Sequence, residues 1–163
     1  MDNCVYPDYL CVPFDKCLEY FKKNPSVYIM LVDEDKLVGY LSLCPVDRAA
    51  YNSLRNGCIC DNHFNINNIQ KYYPGCTYSL YLSSVVIDPH YQGYKLSFKL
   101  ADAALKQIED LYEQKEITIR SVVADVVSDA GRKLAGFYGF NKVRDSSHNS
   151  VIMENTTVTK TIN

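Results

Sequence analysis

Between Tyr81 and Leu105 the chain reads YLSSVVIDPHYQGYKLSFKLADAAL. An apolar run ends at Asp88-Pro89, Gly93 follows in a short loop, and a helical pattern begins. A strand that turns through glycine into a helix directs backbone N–H groups without helical partners toward one place, which suits an anion. We therefore expect this turn, with Gly93 in it, to hold the pyrophosphate of a cofactor. Other reactive side chains cluster earlier. Asp61 and His63 could move protons, and Cys58, Cys60, His63 and Cys76 offer soft ligands of the kind zinc accepts. Their spacing is not that of paired zinc knuckles, so they read as reduced thiols with no metal. His90 and His148 fall in turns and read as solvated.

The elements that must position these groups follow from pattern. Pro7 and Pro13 break residues 1–14 into an irregular segment. Asp15 is a candidate N-cap for a short amphipathic helix carrying Cys17, Leu18, Tyr20 and Phe21, which stops before Pro25. Val27–Val32 and Lys36–Leu43, separated by Asp33-Glu34-Asp35, read as a hairpin. A helix turning on Ala49, Ala50 and Leu54 is expected to end at Asn56-Gly57. An Asn-rich stretch follows, with one short helix near 66–72. Tyr72, Tyr73, Tyr78 and Tyr81 either line a cleft beside it or fill the core.

Thr77–Ile87 reads as a central strand covered on both faces. In the helix after it, Leu96, Leu100, Ala104, Ile108 and Leu111 share one face. A strand over Glu116–Asp125, a helix capped by Ser128 or Asp129, and two strands at 140–143 and 150–154 complete the order. Such an order implies an α/β (α+β) layered fold, a mixed and mostly antiparallel sheet with helices on both faces. The 163 residues are expected to form one domain with a tail at 155–163.

Composition narrows the partners. Seventeen Lys and Arg against 19 Asp and Glu leave a net charge of -2, with no basic run beyond Lys22-Lys23, so neither nucleic acid nor an anionic membrane is an expected partner. No window approaches a membrane span and the N-terminus does not read as a signal peptide, which makes the expected location cytoplasmic. Seven cysteines in that setting are expected to be reduced. The edge of the final hairpin could join a second chain, giving a homodimer.

The run from Val85 to Ser97 resembles the acetyl-CoA motif of the GNAT superfamily of N-acetyltransferases, in which an apolar-Asp-Pro strand end precedes Arg or Gln, two residues, Gly, one residue, and Gly or Ala. The run from Ser128 to Phe140, SDAGRKLAGFYGF, resembles that family's second motif, a helix ending in Gly-Phe. The resemblance covers roughly residues 15–154 and implies a GNAT fold with acetyl-CoA as co-substrate and an amine as acceptor. It further implies that Val85, Val86 and Ile87 bond the pantetheine arm through their backbone, and that the amides of Gln92, Gly93, Tyr94, Lys95, Leu96 and Ser97 surround the pyrophosphate. Ser128 would stand at the start of the second motif, beside the cofactor. Lys95 and Ser97 occupy positions where the family has small residues, and the Lys95 ammonium could pair with a phosphate instead.

The place of the family's Tyr acid holds Ala135, with Tyr138 three residues further on, and the place of its Glu base falls near Tyr81. Water, Tyr81, Ser83, Asp61 or His63 could accept the amine proton, and Tyr138 is the nearest candidate acid. These departures leave two expectations. One is an N-acetyltransferase working by direct attack on the thioester. The other is a catalytically silent module that binds acyl-CoA or a protein partner.

Overall fold

The computed structural model describes residues 11–59, 64–146 and 149–158. Asp61, His63, Cys60 and His148 therefore lie outside the described residues. Helix α1 spans Phe14–Lys23, and strands β1 (Tyr28–Asp33) and β2 (Lys36–Val46) form the expected hairpin. Helix α2 covers Arg48–Arg55, β3 covers Thr77–Ile87 and α3 covers Leu96–Lys115. The order ends with β4 (Thr118–Val126), α4 (Asp129–Phe137), β5 (Asn141–Asp145) and β6 (Val151–Asn155).

Among the described residues six strands form one sheet in the order β1-β2-β3-β4-β6-β5, antiparallel at every junction except the parallel pair β3 and β4. Two apolar layers sandwich it. On one face Tyr20, Ala50, Tyr51, Leu54 and Phe64 pack over Cys44, Tyr81, Val123 and Ile152. Leu100, Ala104, Ile108 and Leu111 of α3 pack on the other face over Leu41, Leu43, Leu80 and Val122. The apolar stripe expected of that helix thus faces the core, and burial of such a stripe, rather than helix propensity, is its main source of stability. Ala135 of α4 sits on Ala124, Val126 and Met153. A Cβ at Gly131 would come within 2.9 Å of Val126 Cγ1, so glycine there lets α4 approach β4 closely.

Several boundaries differ from expectation. Pro13, not Asp15, precedes α1, and Asp15 lies inside the first turn. Strand β2 continues through Pro45 to Val46, because β1 ends opposite Ser42 and leaves an edge where a missing N–H costs no ladder bond. On that edge the Pro45 carbonyl accepts the Gln70 N–H at 2.8 Å. In place of a helix over 66–72 there is a 3-10 turn at Ile66–Asn68, closed by reciprocal bonds between Asn65 and Asn68. Val158, expected in a tail, is buried in the α3 cluster.

Candidate active site

The site begins where two strands separate. Parallel pairing between β3 and β4 runs from Thr77 opposite Thr118 to Leu82 opposite Ala124 and stops there, whereas β2 stays with β3 to Ile87. A bulge accompanies the split: Leu43 faces Leu82 but Ser42 faces Ser84, leaving Ser83 as the extra residue. The bulge reverses which residues share a face. Leu80 and Leu82 pack toward α3 below it, and Val85 and Ile87 do so above it, while Tyr81 and Val86 belong to the opposite parity.

The resulting cleft, about 800 Å³, lies between the strands and under α3 and α4. Leu82, Ser83, Ser84, Val85 and Ile87 form one wall, Ala124, Asp125 and Val126 the other, and Ser128, Gly131 and Leu134 flank it from the second motif. Gln92, Gly93, Lys95, Leu96 and Ser97 border its mouth.

Its mouth suits an anion. Gly93 has φ 89° and Lys95, immediately before α3, has φ 57°, so the chain turns left-handed twice on entering the helix. Among the described residues, the N–H groups of Gly93 to Ser97 meet no acceptor; the first bond back is Phe98 N–H to the Lys95 carbonyl at 3.1 Å. Together with the partial positive charge of a 20-residue helix N-terminus, these groups form an electropositive nest. The preceding turn is braced from the hairpin. Asp88 accepts the His90 N–H at 2.9 Å, the His90 Nδ1 at 3.0 Å and Lys36 Nζ at 3.2 Å, which hold its carboxyl down at about 2. Tyr91 donates to Asp33 Oδ2 at 2.8 Å under the Lys36 ammonium.

The structure separates the sequence candidates. Val85, Ile87, Gln92, Gly93, Lys95, Leu96, Ser97 and Ser128 line the cleft, as do Ser83 and Tyr138. The side chain of Val86 is fully buried, and strand alternation turns its N–H and C=O toward β2, since Asp88 two residues on donates to Val38 at 2.8 Å. Ile87 faces the gap instead. Tyr94 points outward, 72% exposed, and is not part of the lining. Tyr81 is 1% exposed and packs against Phe64 at 5.3 Å, on the sheet face away from α3. Tyr138 donates to Asp102 Oδ1 at 2.6 Å and to the Phe98 carbonyl at 3.2 Å, and burial followed by the Asp102 bond pushes its pKa up to about 12. Ser128 caps α4, accepting the Gly131 N–H at 3.0 Å.

One lining residue escaped the sequence reading. Asp125 follows the apolar run Val122–Ala124 of β4, and its Oδ1 is buried without a hydrogen-bond partner among the described residues. A lone acid inside the run Val122-Val123-Ala124-Asp125-Val126 was the available signal.

Residues 3–140 match the family model for the acetyltransferase (GNAT) family. The chain belongs to the GNAT acetyltransferase family. Solved structures agree on the fold of this GNAT protein. The loading GNATL domain of CurA from Lyngbya majuscula is 14% identical, with 98% of this chain and 90% of that chain covered at a TM-score of 0.70. The PaiA N-acetyltransferase from Thermoplasma acidophilum, in complex with coenzyme A, is 14% identical over 95% and 82% of the two chains, with a TM-score of 0.54. Ard1 from Thermoplasma volcanium is 14% identical over 88% and 79%, also at 0.54. No curated protein matches the sequence. Among the described residues no helix is long and apolar enough to cross a membrane, and no cluster of ligating side chains could hold a metal ion.

Proposed function

We propose that this GNAT protein binds acetyl-CoA in the cleft between β3 and β4 and transfers the acetyl group to an amine by direct attack. The observation that carries this reading is the parting of the strands after Leu82, in a cleft whose mouth is the acceptor-free amide run from Gly93 to Ser97. Pyrophosphate would lie on those amides, with Lys95 beside it. The pantetheine would follow β3 inward past Ile87 and Val85, bringing the thioester to the apex near Ser83. Held there, the thioester is oriented for attack by a neutral amine, and fixing two reactants together removes much of the barrier.

The test is thiol release from acetyl-CoA by the purified protein with a panel of primary amines and amino-terminal peptides. Amine-dependent release above the rate without protein supports transfer. A second reading draws on Ala135 and Tyr138: the usual acid position is alanine, and the nearby phenol is already bound to Asp102. Under that reading the protein binds acyl-CoA without turnover, and binding combined with no release across the panel would establish it. We further place the protein in the cytoplasm, with acetyl-CoA and an amine as its partners rather than nucleic acid or membrane.

A further inference from the structure

Asp125 occupies a distinct position in the cleft. It follows Ala124, the last residue of β4 opposite β3, and therefore stands at the apex where the strands part. Its side chain belongs to the face opposite α3 and α4. Ala124 and Val126 pack with Ala135 of α4, whereas Val123, two residues before Asp125, and Ile152, its cross-strand neighbour on β6, belong to the layer under α2. Asp125 nevertheless lines the cleft, so its carboxylate borders the apex from the sheet face away from α3 and α4.

One oxygen of that carboxylate is unanswered among the described residues. This buried Oδ1 has no partner there, an arrangement that costs free energy unless something else donates to it. Among the described residues of that layer, the polar groups nearest in the fold are engaged elsewhere. Arg55 Nε and the Tyr51 hydroxyl both bond Glu154 Oε1, at 2.9 and 2.7 Å, and Tyr81 is packed on Phe64.

We propose that Asp125 receives the ammonium group of the acceptor and is the base that frees it for attack; this rests on the acyl-transfer reading above. The acceptor class is then an amine that arrives protonated. One N–H proton passes from R–NH3+ to the Asp125 carboxylate, leaving R–NH2. Its lone pair forms the C–N bond with the thioester carbonyl carbon, and collapse of the tetrahedral intermediate breaks the C–S bond. A second proton moves from nitrogen to the departing thiolate, giving the amide and CoA-SH, and Asp125 returns its proton to solvent.

Asp125→Asn keeps the shape and removes the charge, which makes the test clean. Wild type and variant are compared for the thermal shift produced by acetyl-CoA. They are also compared for kcat/KM with cationic amines (benzylamine, spermidine, lysine and an alanyl peptide amide) and with hydroxylamine, a nucleophile uncharged near neutral pH. The expected result is an unchanged shift with acetyl-CoA, a loss of about 100-fold or more with the cationic amines, and little change with hydroxylamine. Equal losses for both kinds of nucleophile, or no loss for either, overturns the assignment. So does a wild type that binds acetyl-CoA but turns over none of the amines. A wild type that does not bind acetyl-CoA overturns the acyl-transfer reading, and this assignment falls with it.

Discussion

Leu82 and Ala124 form the last pair between β3 and β4, and the cleft opens directly beyond them. Above this pair alternate residues of β3 face different partners: Val86 directs its backbone to β2 and Ile87 to the gap. Amide hydrogen exchange should therefore be faster at Ile87 than at Val86 in the free protein. Adding CoA should slow Ile87 and leave Val86 as it was, which residue-resolved exchange would measure.

Gly93 is the residue that turns the loop toward α3. A Cβ there would meet no atom of the described residues within 4 Å, so substitution is opposed by its φ of 89° rather than by a clash. Gly93→Val is expected to strain the nest by roughly 1–2 kcal/mol, weakening acetyl-CoA binding about tenfold or more. Calorimetric titration of the variant reads this directly, and unchanged affinity would argue that the pyrophosphate lies elsewhere.

The brace around Asp88 carries a pH signature. Its carboxyl is lowered from 3.8 to about 2, first by the His90 N–H and then by the His90 and Lys36 side chains. A depressed acid stabilises the fold fully above its unfolded value, and that stability disappears as pH falls through the folded value. Thermal midpoints followed from pH 4 down to pH 2 should drop more steeply in the wild type than in Asp88→Asn, with the variant less stable at neutral pH.

Glu154 ties α2 to the sheet through Tyr51 and Arg55. Glu154→Gln should cost roughly 1–3 kcal/mol in urea unfolding, while binding of acetyl-CoA on the opposite face changes little.

Tyr138 is expected to act as a strap between α4 and α3, because its hydroxyl donates to Asp102 and the Phe98 carbonyl. Tyr138→Phe should lower stability by about 1 kcal/mol and leave the rate of thiol release within a few-fold of wild type. A large fall in kcat at unchanged stability would instead make this phenol the acid.

The sequence carried the frame of the site because that frame depends on local pattern. Thr77–Ile87, the α3 stripe and the Ser128 cap all follow from periodicity and end signals within a single element. What it could not carry depends on pairing between elements. The bulge at Ser83 exists only relative to Ser42 and Leu43, yet it decides that Val85 and Ile87, not Val86, border the cleft. Likewise Tyr81 reads as a strand tyrosine in a plausible catalytic place, and only the packing of Phe64 shows that it is buried. Asp125 was visible as a residue, but its importance comes from the sheet parting beside it. The 66–72 segment misled because Ile66 and Ile69 have helical spacing, while the Asn65–Asn68 bonds close a single turn and Ile69 then bridges to Val46.

The most direct measurement is thermal unfolding of the wild type with and without acetyl-CoA. Ligand at about 100 times its dissociation constant should stabilise the fold by about 2.7 kcal/mol, raising the midpoint by about 5–10 °C, with the gain sharply reduced in Gly93→Val. An unchanged midpoint with both acetyl-CoA and CoA would contradict the placement of a cofactor between β3 and β4.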